Sequence, residues 1–144
     1  MYKKKYDIVV VGGGHAGVEA ALISSFLDVS VALITMDKNA IARMSCNPAI
    51  GGLAKGQIVR EMDVLGGVMA ETADVSGLQF KILNKSKGRA VWSPRAQIDK
   101  RLYERNVLKK IENSTVSIIQ SEAISVDIRN YKVKSILLRS GEKV

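Results

Sequence analysis

Cysteine, proline, histidine and aromatic residues are scarce in this chain, and long hydrophobic runs are absent. Its 144 residues include one cysteine, two prolines and one histidine, and only 5% are aromatic. A lone cysteine cannot form an internal disulfide, and no apolar run approaches the ~18 residues of a membrane-spanning helix. We therefore expect neither a disulfide-rich secreted module nor a membrane protein, and we predict no metal site.

The overall composition is that of a globular domain. Hydrophobic residues make up 47% of the chain and charged residues 25%, and no repeat or low-complexity linker divides residues 1–144 into separate domains. The apolar run from Ile8 to Val11 follows three lysines but is too short for a signal peptide. With its single unpaired thiol, the protein is expected in the reducing cytoplasm.

The net charge of +8 is concentrated in one segment. Between Lys81 and Lys110 there are ten basic residues and two acidic ones, whereas the other 114 residues hold twelve of each sign. Localised positive charge attracts polyanions, nucleic acid above all. From charge alone, a solvated lysine-rich helix explains the segment equally well.

The N-terminal residues predict a strand–helix–strand unit. Tyr6 to Val11 is typical of a buried strand, apolar residues recur at helical spacing from Gly14 to Leu27, and Val31 to Thr35 predicts a second buried strand. Such a unit is the building block of a parallel sheet. We therefore predict an α/β fold.

The rest of the chain predicts two helices, a third strand and a hairpin. The first helix should end at Gly66, and a less regular stretch should follow it. Ser93 and Pro94 are typical of an N-cap and a first helical turn, so we expect the second helix to start there. The predicted elements are a helix from Leu53 to Leu65, a helix from Ser93 to Ile111, a strand from Thr115 to Ser121, and a hairpin of Ala123 to Ile128 with Val133 to Leu138 turning at Arg129, Asn130 and Tyr131. The inward faces should be Ile58, Val59, Met62 and Leu65 in the first helix and Ile98, Leu102, Leu108 and Ile111 in the second.

The chain ends shortly after a turn. Ser140 and Gly141 are typical turn residues, and only three residues follow them. A strand returning from that turn would stop as it begins. We therefore expect this sequence to be the front part of a longer protein, with a sheet that is incomplete at its C-terminus.

A glycine-rich motif lies between the first predicted strand and the first predicted helix. Gly12-Gly13-Gly14-His15-Ala16-Gly17 fits the pattern G-x-G-x-x-G. In that pattern the first glycine permits a tight turn, the second lets a pyrophosphate approach the backbone, and the third lets helix and strand pack closely. The following helix points its amides at the phosphate oxygens. We predict a dinucleotide site, with a structural glycine turn as the alternative, and take His15 as a cofactor contact rather than a catalytic base.

One feature of such sites is missing. A carboxylate usually ends the second strand and holds the ribose hydroxyls, but Thr35 occupies that place and Asp37 follows two residues later. Either the ribose is held more loosely by Thr35, or Asp37 reaches back. The glycine loop does not distinguish FAD from NAD.

The only cysteine lies in a loop, Ser45 to Gly52, that directly precedes the helix predicted at Leu53. A thiol at a helix N-terminus ionises more easily, which suits a nucleophile, although a lone cysteine is more often a packing residue. A redox dithiol within this chain, as in glutathione-reductase-like flavoproteins, is excluded because the chain contains no second cysteine to pair with Cys46.

Four segments carry a resemblance to a known family. They are YDIVVVGGGHAGVEAA, MSCNPAIGGLAKGQIVREMDVLGGVMA, GLQFKILNKSKGRAV and RAQIDKRLY, and they cover nearly the whole chain from Tyr6 onward. Together they resemble the N-terminal part of the glucose-inhibited division protein A (MnmG) family, flavoproteins that modify the wobble uridine of tRNA. CNPAIGG and SKG-x-AV are the most specific motifs, and Thr35 is also typical of the family. The chain departs from the pattern at Trp92-Ser93-Pro94, where small and basic residues are usual, which leaves the contacts of that loop open.

The resemblance implies an FAD enzyme with a Rossmann-like, glutathione-reductase-like FAD domain, of which residues 1–144 are the N-terminal portion. With a GTPase partner subunit (MnmE), such an enzyme uses methylenetetrahydrofolate as carbon donor and NADH as reductant to add a carboxymethylaminomethyl group to C5 of the uridine. Full-length members are several-fold longer, act as homodimers, and carry the NADH site, another cysteine and the GTPase-binding region outside this segment. This chain alone is not expected to turn over.

The resemblance also assigns residues by matching motif. Gly12 to Gly17 bind the FAD pyrophosphate, Ile124 offers backbone groups to the adenine end, and Cys46 is the candidate catalytic thiol near the flavin. The tRNA-facing residues are Lys87, Arg89 and Arg95.

Three other interpretations stay open. The chain is a truncated, non-catalytic remnant that at most binds nucleotide or RNA, a small NAD(P)-binding oxidoreductase, or a general RNA-binding module. The CNPAIGG motif and the missing ribose carboxylate disfavour the oxidoreductase. The scarcity of aromatic residues disfavours the general RNA-binding module.

Overall fold

The computed structural model of this chain describes residues 5–144. Its strands are Ile8–Val11 (β1), Val31–Thr35 (β2), Ala49–Gly51 (β3), Gly77–Leu83 (β4), Ser93–Ile98 (β5), Ser117–Gln120 (β6), Ala123–Arg129 (β7) and Lys132–Leu138 (β8). Its α-helices are His15–Ser25 (α1), Lys55–Val64 (α2), Met69–Ser76 (α3) and Lys100–Glu112 (α4), and short 3₁₀ helices lie at Lys38–Ala40 and Arg89–Val91. No helix within residues 5–144 has the length and hydrophobicity needed to cross a membrane.

The chain divides into two compact units. The first comprises the residues up to Ile41 together with Ile111–Val144, and the second comprises Ala42–Lys110. The segment that contains Cys46 and most of the basic residues therefore belongs to a separate compact unit, which in the sequence lies between the two parts of the unit that contains the glycine motif.

The first unit is built on a parallel sheet with the strand order β1-β2-β6. β2 is buried along its whole length, as expected for a strand with a neighbour on each side and both faces covered. α1 packs against β1 and β2 and buries Val18, Ala21 and Leu22. The predicted strand–helix–strand unit and the predicted third strand are confirmed.

The antiparallel pair β7–β8 is the predicted hairpin. Its turn consists of Asn130 and Tyr131, whose φ angles are +51° and +58°, as in the two-residue turns that match the twist of paired strands. Ile136 and Leu138 of β8 pack with Ile34 of β2 in a buried cluster. The hairpin is thereby attached to the parallel sheet.

The second unit contains an antiparallel sheet with the order β3-β5-β4. α2 packs against α3, β3 and β5, and α3 packs against β5. The helix predicted from Leu53 to Leu65 is confirmed as α2, which ends at Val64 with Leu65 as its C-cap, and Gly66 follows with a φ of +91°. The stretch predicted to be irregular contains α3 and β4.

The prediction of a helix beginning at Ser93 is wrong. Ser93–Ile98 is strand β5, and α4 begins at Lys100. β5 pairs with β3 on one side and with β4 on the other, and this pairing with two remote segments outweighs the local Ser-Pro pattern. The helix is capped by Asp99, whose Oδ1 accepts hydrogen bonds from the backbone nitrogens of Arg101 and Leu102, both at 3.0 Å.

The predicted inward faces of the two longer helices are partly wrong. In α2 Val59 is buried but Ile58 is 54% exposed, and Leu65, just after the helix, is 76% exposed. In α4 the fully buried residues are Tyr103, Val107 and Ile111. These are spaced four residues apart and therefore lie on one face, which Leu102 and Leu108 border as half-buried residues.

Candidate functional site

Three loops follow the carboxyl ends of the three parallel strands. Gly12 follows β1, Met36 follows β2 and Ser121 follows β6. Backbone hydrogen bonds connect the strand ends, since Gly12 N donates to Ile34 O at 2.8 Å and Ser121 N donates to Thr35 O at 2.9 Å. In open α/β sheets, ligands bind outside the carboxyl ends of the strands. This edge of the sheet is therefore the candidate cofactor site.

The glycine motif leads from β1 into α1 in a way that glycine alone permits. Gly12 has a φ of +109°, a conformation that residues with a β-carbon rarely adopt. A β-carbon on Gly17 would overlap the carbonyl oxygen of Gly12, so helix and strand approach this closely only because Gly17 lacks a side chain. The backbone itself therefore requires the first and third glycines of the motif.

Gly14, the second glycine of the pattern, has a different explanation. Its φ is −71° and it is the N-cap of α1, a conformation open to any residue. A β-carbon there would meet no atom within 4 Å, so the fold leaves empty space where the motif places a pyrophosphate. The first turn of α1 contains no acidic residue, and helix N-terminal amides favour an anion. The loop is suited to hold a phosphate group.

The remaining residues of the motif lie around this loop. Gly13 lies against the end of β2, because a β-carbon there would be 3.0 Å from Thr35 Oγ1. In the first turn of α1, His15 is half-buried and Ala16 is exposed. The structure thus brings the glycine motif and Thr35 together, as the sequence predicts.

Thr35 and Asp37 are both oriented by local hydrogen bonds. Thr35 is buried, and its Oγ1 donates to the backbone oxygen of Asp37 at 3.2 Å. Asp37 Oδ1 accepts a hydrogen bond from Asn39 N at 2.8 Å and so caps the 3₁₀ helix that follows. That one of these residues holds a ribose hydroxyl stays a prediction.

Ile124 lies at a bulge in β7. The register passes from Ala123 opposite Leu138 directly to Ser125 opposite Leu137, so Ile124 is the extra residue. A bulged residue is left unpaired by the ladder, which suits the predicted role of its backbone in ligand binding. Its side chain is half exposed.

Cys46 lies in an exposed loop of the second unit. Its Sγ is 3.8 Å from Ser45 Oγ, and its backbone oxygen accepts a hydrogen bond from Lys100 Nζ at 3.3 Å. The predicted place of Cys46 at a helix N-terminus is wrong, because β3 lies between this loop and the start of α2 at Lys55. The thiol is nevertheless accessible to a substrate.

Ser93 and Pro94 hold the two glycines that end the cysteine loop. Ser93 is fully buried, and its hydroxyl donates to the carbonyl oxygen of Gly52. Gly52 N donates in turn to Pro94 O at 2.9 Å, and a β-carbon on Gly51 would overlap that same oxygen. Ser93 and Pro94, at which the chain departs from the expected motif, therefore fix the backbone next to the cysteine loop.

Residues 84–92 connect β4 to β5 and form what we call the Trp92 loop. Lys87 N donates to Asn84 O at 2.9 Å, and Trp92 N donates to Arg89 O at 3.1 Å. The side chains of Lys87 and Arg89 are exposed here, and Arg95 follows as a half-buried residue of β5. The three predicted nucleic-acid contacts thus lie on one strand–loop–strand segment.

A groove of about 760 Å³ in the second unit was not predicted. Its lining comes from β3, β4, β5, α2 and α3, with Phe80 and Ile82 among the apolar residues. Its charged lining residues are Arg60, Asp63, Asp74, Lys81, Lys85 and Arg95. Lys81 and Arg95 lie directly opposite each other on β4 and β5, a juxtaposition that only the strand register reveals.

Comparison with known proteins identifies related sequences over almost the whole chain. The family model for glucose inhibited division protein A matches residues 7–144. The tRNA uridine 5-carboxymethylaminomethyl modification enzyme MnmG of Thermodesulfovibrio yellowstonii is 52% identical over 145 residues, a match that covers 98% of this chain and 23% of that protein. The chain thus spans about a quarter of the length of the curated relatives it matches.

Solved structures agree with these matches. GidA of Aquifex aeolicus, in its form I crystal, superposes with a TM-score of 0.93 at 45% identity, covering 97% of this chain and 24% of that one. PqsL of Pseudomonas aeruginosa, described as a probable FAD-dependent monooxygenase, superposes with a TM-score of 0.63 at 17% identity, covering 96% of this chain and 39% of that one. The second likeness concerns the fold alone. The predicted α/β fold with a parallel sheet and an antiparallel hairpin is confirmed.

Proposed function

Because the chain belongs to the glucose inhibited division protein A family, we propose that it is the FAD-binding portion of an enzyme that modifies tRNA. Its curated relatives are named tRNA uridine 5-carboxymethylaminomethyl modification enzymes, and we assign the same reaction, at C5 of the wobble uridine, to this protein. The observation that carries the proposal is the open backbone at Gly14, at the carboxyl edge of the parallel sheet.

The residues at this edge fit the pyrophosphate of FAD. The amides of Gly12 to Gly17 favour negative oxygens, and the missing side chain of Gly14 leaves their approach open. We assign Thr35 to the ribose and the bulged backbone of Ile124 to the adenine end, because both follow neighbouring strands at the same edge. When bound, FAD supplies the redox chemistry of the reaction.

We assign Cys46 the role of the reactive thiol. Its exposure lets a substrate reach Sγ, and the hydrogen bonds of Ser93 and Pro94 to Gly52 restrict the backbone beside its loop. A thiolate is a strong nucleophile toward an electrophilic carbon. In this role Cys46 attacks the uridine, whose ring carbon–carbon double bond opens and re-forms when the thiolate leaves, or it attacks the folate-derived carbon, whose bond to a folate nitrogen breaks. In the alternative role its thiol donates a proton at one of these two centres. Methylenetetrahydrofolate is the carbon donor and NADH is the reductant.

The tRNA-facing surface in this proposal includes Lys87, Arg89 and Arg95. Their positive charges suit the phosphates of the tRNA backbone. The full-length enzyme works in the cytoplasm as a homodimer together with a GTPase partner subunit, and NADH and that subunit bind outside residues 1–144.

A chimera tests the reaction. The matching segment of the Thermodesulfovibrio relative is replaced by this chain, and the chimera is produced in a bacterium that lacks its own uridine-modifying enzyme. Mass spectrometry of the tRNA nucleosides should then detect the carboxymethylaminomethyl group. Cys46→Ser should lower the modification rate at least about a hundredfold while leaving the flavin absorption spectrum unchanged.

Ser140→Ala is the control, because Ser140 is exposed and lies in the first unit, outside the cysteine loop. It should keep the modification rate within about twofold, as expected for a surface substitution away from the reacting atoms. A chimera that binds FAD without modifying tRNA would favour the non-catalytic remnant. Full activity of Cys46→Ser would contradict the assignment of Cys46 as the reactive thiol.

A further inference from the structure

Trp92 is held on two sides within its loop. Its Nε1 donates a hydrogen bond to Lys87 O at 3.1 Å, and the guanidinium carbon of Arg89 lies 5.7 Å from the centroid of its ring. The side chain is still 37% exposed. An indole fixed at its edge and paired with an arginine presents a preorganised flat surface at little further entropic cost.

The backbone of the loop is also fixed. Asn84 has a φ of +59°, its Nδ2 donates to Val91 O at 3.2 Å, and Val91 N donates to Gly88 O at 3.1 Å. These bonds close the loop across its base. The position of Trp92 is therefore determined before any partner binds.

The segment of chain that contains Trp92 carries only positive charge. No acidic residue occurs between Val75 and Ile98. The basic residues of that stretch are Lys81, Lys85, Lys87, Arg89 and Arg95. None of the five takes part in an ion pair within residues 5–144. Their charges are available to an external anion.

We propose that the Trp92 loop binds an unpaired nucleotide of RNA. Its base stacks on the exposed part of the Arg89–Trp92 pair, and Lys85 and Lys87 contact the adjoining phosphates. Stacking on an aromatic ring with cations beside it is the usual way of binding single-stranded nucleic acid. The identification of the nucleic acid as RNA rests on the proposed function.

The combination of a ring and cations favours an unpaired nucleotide over other polyanions. The bases of a duplex are already stacked on one another, so a duplex offers phosphates but no free base face. An acidic protein segment would use the cations and leave the indole without a planar partner. The tRNA anticodon loop, which contains the wobble uridine, supplies unpaired bases.

The chain contains one tryptophan, so its fluorescence reports on this loop alone. The 144-residue chain is titrated with a short oligouridylate, with a duplex RNA of equal length, and with inorganic polyphosphate. Oligouridylate should quench the Trp92 emission, because a stacked base quenches indole, whereas polyphosphate should bind with little quenching. Quenching by polyphosphate equal to that by oligouridylate would overturn the proposal.

Variants separate stacking from charge. Anisotropy of labelled oligouridylate should show about tenfold weaker binding for Trp92→Leu, since stacking contributes about 1–3 kcal/mol per base and 1.4 kcal/mol is tenfold. Trp92→Phe should stay within about threefold of the original chain, and thermal melting of both variants checks the fold. Tyr131→Leu removes an exposed aromatic outside the loop and should leave binding unchanged.

Trp92→Leu binding as tightly as the original chain would contradict the proposal, as would equal affinity for the duplex. FAD retention, measured on the same samples, distinguishes the two assignments. Retained FAD without quenching refutes the stacking surface alone. Quenching without retained FAD refutes the cofactor assignment and supports the RNA contact.

Discussion

Asp7 and Ser30 illustrate what single side chains do at the ends of the parallel strands. Asp7 Oδ2 accepts hydrogen bonds from Ser30 Oγ at 2.5 Å and from Ser30 N at 2.8 Å. The side-chain bond from Ser30, followed by its backbone bond, lowers the pKa of the Asp7 carboxyl below its usual value. The pair joins the start of β1 to the start of β2, which are neighbours in the sheet.

A lowered pKa in the folded state predicts how stability depends on pH. Ionised Asp7 contributes to the free energy of unfolding above its ordinary pKa, and this contribution is lost as the pH falls through the lowered value. Asp7→Asn should therefore lower the thermal midpoint near neutral pH, and its difference from the original chain should shrink in acid. Asp63→Asn is the control, because the Asp63 carboxylate makes no hydrogen bond within residues 5–144. Its difference in thermal midpoint from the original chain should not shrink in acid. A difference that grows in acid would contradict this account.

The role of a single residue can be predicted from the sequence when its partners lie close to it in the chain. Gly12, Gly14 and Gly17 could be assigned roles from spacing alone, because a strand–turn–helix connection imposes its requirements locally. The role of Ser93 could not, because its hydroxyl bonds to Gly52, 41 residues away. The capping role of Asp99 could have been predicted, since an aspartate directly before a helical segment is an ordinary N-cap signal.

At the scale of elements, local patterns predict the fold where the pairing is also local. β1, α1 and β2 follow one another in the chain, as do β7 and β8, and the bounds of these five elements were predicted to within about two residues. β5 was missed because it pairs with β3 and β4 at the same time. The burial of Tyr103 in α4 depends on what packs around the helix, which the helical period alone does not specify.

The hairpin turn yields a prediction at this scale. Tyr131 has a φ of +58° and is fully exposed, and this left-handed conformation costs about 1 kcal/mol for a residue with a β-carbon. Tyr131→Gly should therefore raise the free energy of unfolding by up to about 1 kcal/mol, because Asn-Gly suits such a turn. Lys132→Gly, at the first residue of β8, should lower it by a similar amount. Chemical denaturation measures both, and a loss of stability in Tyr131→Gly would contradict the turn geometry.

At the scale of the whole molecule, the positive charge belongs to the second unit. Lys81 to Lys110 lie in that unit, and they hold the excess of ten basic over two acidic residues. The position of this excess along the chain can be read from the sequence. Which of these residues lie opposite each other on paired strands, or line the groove, cannot be read from it. That information is in the register of β4 with β5.

Salt dependence tests this distribution of charge. Changing Lys87, Arg89 and Arg95 to glutamine should weaken tRNA binding and reduce the slope of log K against log salt by about 2, since each phosphate contact contributes about 0.7–0.9. The matched control changes three exposed lysines of the first unit, Lys132, Lys134 and Lys143. Filter binding across a range of salt concentrations measures both slopes. An equal reduction in the two triple variants would mean that tRNA binding follows net charge rather than this surface.

The most direct test of the cofactor assignment is the amount of flavin that the purified chain retains after FAD is added and the excess removed. Absorption spectra of the original chain, Gly14→Val and Gly88→Val compare two glycines that are both helix N-caps with negative φ and open space around a β-carbon. We predict near-stoichiometric flavin in the original chain and in Gly88→Val, and none in Gly14→Val. Equal flavin in Gly14→Val and the original chain, or none in a folded original chain, would contradict the account.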